Sequence, residues 1–114
     1  MRVILITTDD QILTTEVSQP LYKSIGNLVD GFIEIVRPMN LQRPYVMICN
    51  EDYCALDLPF NTLGSYMYGT QIHGHPVLGN IVIMKEKGDE LEGLHEWETK
   101  CLEEEFKTRL RKLK

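Results

Sequence analysis

The stretch Asp30–Asn61, DGFIEIVRPMNLQRPYVMICNEDYCALDLPFN, decides the fold. Two extended runs lie inside it, Phe32–Val36 and Tyr45–Cys49. Both are rich in β-branched and aromatic residues, which fit a pleated surface. Pro38 ends the first run because proline offers no donor to a strand ladder. Met39–Arg43 reads as a loop, and Pro44 opens the second run. Asn50-Glu51-Asp52 is an acidic turn, Tyr53–Leu58 reads as the return arm of a hairpin, and Pro59-Phe60-Asn61 closes it. Side chains alternate along a strand. If Ile33 and Ile35 face the core, Glu34 therefore shares the other face with Phe32 and Val36.

Toward the N-terminus, Arg2–Thr7 (RVILIT) reads as a buried strand. Thr8–Gln11 supplies turn residues, and Ile12–Val17 pairs back as a hairpin arm. A short amphipathic helix follows, with Ser18 as cap, Pro20 in the first turn and apolar residues at Leu21, Ile25, Leu28 and Val29. Gly31 ends it with a left-handed residue.

Toward the C-terminus, Thr62–Gln71 has no clear period and reads as a loop holding at most one helical turn. Val77–Met84 is a last apolar strand, interrupted by Gly79-Asn80 as at a bulge or a close backbone approach. Lys85–Gly88 is a polar connector. Asp89–Lys114 reads as a long helix whose apolar stripe includes Leu94, Trp97, Cys101, Leu102, Phe106, Leu110 and Leu113. Acidic residues lead and basic residues trail, which suits the helix dipole. Glu103 with Lys107 and Glu105 with Arg109 are favourable i,i+4 pairs. The reading is an α+β protein: a mixed or antiparallel sheet of about five strands, one short helix and a long C-terminal helix. One domain spans residues 1–114, with a sheet core over 1–84 and the helix over 89–114.

The 114 residues suffice for a real core. Hydrophobic content of 43% with 25% charged residues is ordinary for a soluble globular chain. A net charge of -5 argues against general nucleic-acid binding, which wants a basic face. It leaves room for a nucleotide ligand held by a local Arg or Lys cluster. Three cysteines without a signal peptide read as reduced thiols in the cytoplasm. No window offers the ~20 apolar residues of a membrane span.

The candidate ligand-binding residues are Asn50, Glu51, Asn61, Tyr66, Tyr68, Glu34 and Arg37. Asparagine both donates and accepts and glutamate accepts, so together they can read a base edge or ribose hydroxyls. Tyrosines stack on a base, and arginine meets phosphate. The competing reading is that Asn50 and Asn61 only shape turns through their own backbone. Metal binding by Cys49, Cys54, His73 and His75 is disfavoured, because the C-x4-C and H-x-H spacings are not a structural zinc pattern. No nucleophile, metalloprotease or phosphate-loop motif is present. No catalytic residue, metal or cofactor is assigned.

Four segments in order carry a resemblance: Leu28-Val29-Asp30-Gly31-Phe32-Ile33-Glu34, then Asn50-Glu51, then Leu58-Pro59-Phe60-Asn61, then Leu78-Gly79-Asn80-Ile81-Val82-Ile83. Over Arg2–Met84 the chain resembles a family of small phage-encoded domains of unknown function. That resemblance implies an accessory role in the cytoplasm of an infected bacterium and no particular reaction. The expectation is therefore a non-catalytic, anti-defence protein that sequesters a small nucleotide signal. The alternatives are an inhibitor of a host defence protein and a small phosphodiesterase using His73 or His75 as base. A homo-oligomer is expected, since the apolar strands and helix stripe exceed what a thin domain covers.

Overall fold

The computed structural model describes residues 1–114, and its sheet is antiparallel throughout. β1 (Arg2–Ile6) and β2 (Ile12–Glu16) form the first hairpin, and α1 (Leu21–Val29) follows. β3 (Ile33–Val36) and β4 (Tyr45–Asn50) flank the proline-bounded loop. Two short helices, α2 (Thr62–Tyr68) and α3 (Thr70–His73), precede β5 (Ile81–Lys87) and β6 (Glu90–Glu92). α4 (Glu96–Leu113) closes the chain. The sheet has six strands in the order β2-β1-β5-β4-β3, with β6 beside β5. β1 takes Ile81–Ile83 of β5 and β6 takes Lys85–Lys87, so the two lie end to end along one side of the central strand.

Helices cover both faces of this sheet. Alternation sends Ile4, Ile6, Met47, Cys49, Ile81 and Ile83 to one face, under α2 and α4. It sends Val3, Val46, Ile48, Val82 and Met84 to the other, under α1. A strand buried on both sides has no polar face to display, which is why most of β1 and β4 and the first four residues of β5, Ile81–Met84, read as apolar runs. β3 is an edge strand, and Glu34 and Ile35 are both exposed on it. Neither side chain enters the core.

Several boundaries differ from the sequence reading. Tyr53–Leu58 is not a strand: residues 51–57 form consecutive turns. Residues 62–73 hold two helices where a loop was expected, and Asn61 caps the first by accepting from the Gly64 amide at 2.8 Å. The left-handed residue closing α1 is Asp30 (φ 65), with Gly31 N–H reaching back to Gly26 O. Gly31 is required for another reason: a Cβ there would lie 2.7 Å from the Asn50 amide nitrogen. Ser18 does not cap with its side chain; its carbonyl accepts from Ser24 Oγ. Residues 85–92 are not a connector and helix start but the β5–β6 hairpin, so the sheet runs beyond residue 84 and α4 begins only at Glu96. On α4, Trp97 and Cys101 are exposed, while Glu98 and Thr99 are buried beside Leu102, Phe106 and Leu110.

Gly79-Asn80 precedes β5 instead of interrupting it. Gly79 sits at φ 85 and donates to Pro59 O, and Asn80 accepts from the Thr8 amide. The two residues tie the start of the central strand to the end of β1 and to the loop before α2.

Candidate functional site

Of the residues proposed to meet a ligand, two face inward. Asn50 is buried; its amide donates to Val29 O and its oxygen accepts from Asp52 N–H. Asn61 is fully buried; it donates to Ile6 O and Gly79 O and accepts from Gly64 N–H. Both amides are buried and bonded to the chain's own backbone. Glu34 and Glu51 are exposed near each other at one end of the sheet, where Phe32, flanking β3, accepts from the Glu51 amide. Arg37 forms an ion pair with Glu86. Tyr68 packs edge-on against His73. Tyr66 alone among the tyrosines proposed lies in a cleft of the helical face.

That cleft runs between α2, α4 and the loop after β3, with a volume of about 300 Å³. Leu63, Met67 and Phe106 form its apolar floor. A second cleft, about 460 Å³, continues it under Met39–Gln42 and shares Asn40, Leu41, Tyr66 and Glu105 with it. Volumes of this order suit a small organic ligand. The guanidinium of Arg109 lies 4.9 Å from the centre of the half-buried Tyr66 ring. Such stacking holds the cation in place while leaving its edge free to donate. The i,i+4 partnership with Glu105 is not formed, and neither Arg109 nor Lys112 has a carboxylate within ion-pair distance. Asn40 fixes the rim by donating to Tyr66 O at 2.9 Å.

Under this groove sits a network absent from the sequence reading. Glu98 is buried, accepts from Lys85 Nζ at 2.7 Å, from Tyr45 Oη at 2.7 Å and from the His95 amide at 2.9 Å. Burial alone would raise the Glu98 carboxyl. The hydrogen bonds from Lys85, His95 and Tyr45 outweigh it and bring the group down to about 2. Tyr45 is pushed up to about 12 by burial and by the same carboxylate. A carboxylate held ionised and a phenol held neutral are poor acid–base catalysts near pH 7. The set is a clamp between β4, β5 and α4. A glutamate three residues after a helix cap was the one signal that could have found it.

The histidines and cysteines hold no comparable arrangement. His73 accepts the His75 amide at Nδ1 and meets Tyr68 O through Nε2. Both ring nitrogens are thus engaged within their own turn. Cys49 is buried, and desolvation raises its thiol to about 12, which disfavours the thiolate a metal or nucleophile role needs. All three cysteines are free, and no helix is long and apolar enough to cross a membrane.

Residues 1–107 match the model of a domain of unknown function, DUF3846. The chain belongs to that family. The DUF3846 match extends beyond Met84 and takes in α2 and α4 as far as Lys107, whereas Thr108, Arg109 and Lys112 of the groove lie past its end. No curated protein and no solved structure matches the chain.

Proposed function

We propose that this protein binds and sequesters a small nucleotide-type ligand in the groove between α2, α4 and the loop after β3, without altering it chemically. The carrying observation is the pairing of the half-buried Tyr66 ring with Arg109 at 4.9 Å, beside a Lys112 that has no acidic partner. A guanidinium stacked on a ring, beside a second unpaired cation, offers a planar face to a base and donors to a phosphate. The occupied nitrogens of His73 and the locked Tyr45–Glu98–Lys85 set favour binding over turnover. The resemblance to phage-encoded domains supports an anti-defence setting in the bacterial cytoplasm. Exposed Phe32 and Tyr22 support assembly into a homo-oligomer.

Native mass spectrometry and calorimetry with mononucleotides, linear and cyclic dinucleotides and ADP-ribose derivatives test this reading. The expected result is a stoichiometric, unmodified nucleotide whose affinity falls at least tenfold in Arg109→Ala, the loss of about one charged hydrogen bond. A panel that binds nowhere, or a nucleotide that turns into products, overturns it.

One further observation favours a second reading, inhibition of a host protein. Trp97 is 65% exposed and stacks on His95 at an interplanar angle of 11°. Exposed tryptophans often anchor protein interfaces. Co-purification from bacterial lysate of a stoichiometric partner that is lost in Trp97→Ala supports this alternative, and a clean preparation counts against it.

A further inference from the structure

Two carboxylates of the groove, Glu104 and Glu105, have no role yet, and of the two only Glu105 also borders the second cleft. It is exposed on α4, and it borders both adjoining clefts, together with Tyr66 and the Asn40-Leu41 pair. Helical spacing would pair it with Arg109, yet Arg109 lies over the Tyr66 ring instead. Glu105 has no ion-pair partner and no side-chain hydrogen bond within the chain. A bare carboxylate beside two cations repels a phosphate placed on it and weakens a site built for high negative charge. It is useful there only as an acceptor.

The charges of the α2–α4 cleft say the same. Arg109 and Lys112 are matched by Glu104 and Glu105, so the formal charge of the lining is near balance. A triphosphate or a long nucleic-acid strand needs a net positive track. A ligand with one phosphate and neutral donors does not. The neutral donors that accompany a phosphate and a base in a nucleotide are the ribose hydroxyls, and a carboxylate accepts from them readily.

We propose that Glu105 accepts a hydrogen bond from a ribose hydroxyl and makes the groove selective for ribonucleotides carrying few phosphates. This rests on the nucleotide reading above and specifies it. The Arg109 guanidinium stacked on Tyr66 turns its open face to the base, its edge and Lys112 take the phosphate, and Glu105, at the junction of the two clefts, takes the 2′-hydroxyl.

The test is calorimetry with the full chain and matched probes: AMP, GMP, CMP and UMP, cyclic di-AMP and cyclic di-GMP, each against its 2′-deoxy form. The wild-type protein is expected to prefer the ribo form by about tenfold, the size of one hydrogen bond to a charged group. In Glu105→Ala that ratio falls to about one, and Glu105→Gln, which keeps an acceptor, falls between. Glu105 is exposed, so unchanged circular dichroism verifies that the variants fold. Equal binding of the ribo and 2′-deoxy forms by the wild type, or an unchanged ratio in Glu105→Ala, overturns the proposal while leaving nucleotide binding intact. Failure of every probe to bind removes the nucleotide reading and this inference together.

Discussion

The Asn61 amide sits where the end of β1, the loop around Gly79 and the start of α2 converge, and it satisfies a backbone group of each. Nothing from solvent reaches it. Removing the side chain strands two carbonyls and one amide in the core, so Asn61→Ala is expected to cost about 3 kcal/mol. Asn61→Asp is nearly isosteric and a sharper probe. It can still accept from Gly64 N–H, but it turns a carboxylate oxygen toward the carbonyls of Ile6 and Gly79. An unpaired buried charge is more costly than a missing hydrogen bond, so Asn61→Asp is expected to be less stable than Asn61→Ala at pH 7. Urea denaturation measures both; an alanine variant within about 0.5 kcal/mol of the wild type would show that the junction does not depend on this residue. The sequence left Asn61 open between ligand contact and turn residue. Composition could not decide, because the same amide chemistry serves both and only burial separates them.

At the scale of elements, β1, α1 and β4 were legible because local pattern and tertiary role agree in them. α2 was not: TLGSYMY is seven residues with a central glycine, too short to show a period, and it is helical because Asn61 caps it and Leu63 and Met67 pack on the sheet. The end of β5 was obscured for the opposite reason. Lys85-Glu86-Lys87 looks like a connector, yet Lys85 has its charge answered from α4 and Glu86 has its charge answered by Arg37. Tyr66 was legible in the sequence, but Arg109, which lies over it, reads there as half of a helical ion pair with Glu105 that the structure does not form. The apolar stripe of α4 was only partly resolved, since Trp97 and Cys101 lie next to the buried set in sequence but turn outward. This separation is measurable. Phe106→Ala empties a packed site between α4 and the sheet and is expected to cost about 3–5 kcal/mol. Trp97→Ala removes a larger side chain from solvent and is expected to stay within about 0.5 kcal/mol of the wild type. Comparable losses for the two in thermal or urea unfolding would place Trp97 in a buried interface of the assembled protein.

For the molecule as a whole, the buried ionisable groups set the pH range in which it is stable. Glu98 ties the helical layer to the sheet, and folding lowers its carboxyl from 4.5 to about 2. A lowered carboxyl stabilises the fold at every pH above its unfolded value and loses that contribution as pH falls from about 4.5 toward 2. The size is about 3 kcal/mol at neutral pH. On the alkaline side Tyr45, Tyr53 and Cys49 are all raised to about 12, chiefly by burial. Their contributions are complete below the unfolded values of 9.0 for the thiol and 10.0 for the phenols and are lost as pH climbs toward 12. Stability is therefore expected to hold level between about pH 5 and 9 and to fall on both sides. Glu98→Gln isolates the acid limb. At pH 7 the substitution leaves Lys85 buried without its counter-charge, with an expected loss of about 3–5 kcal/mol. As the pH approaches 2 the wild-type carboxyl also becomes neutral, so the two proteins converge. Urea midpoints across this range decide the matter: a gap between wild type and Glu98→Gln that stays constant from pH 7 to 2 would mean that the clamp acts through shape alone, whereas a gap that closes through this interval assigns the acid sensitivity of the whole fold to one buried carboxylate.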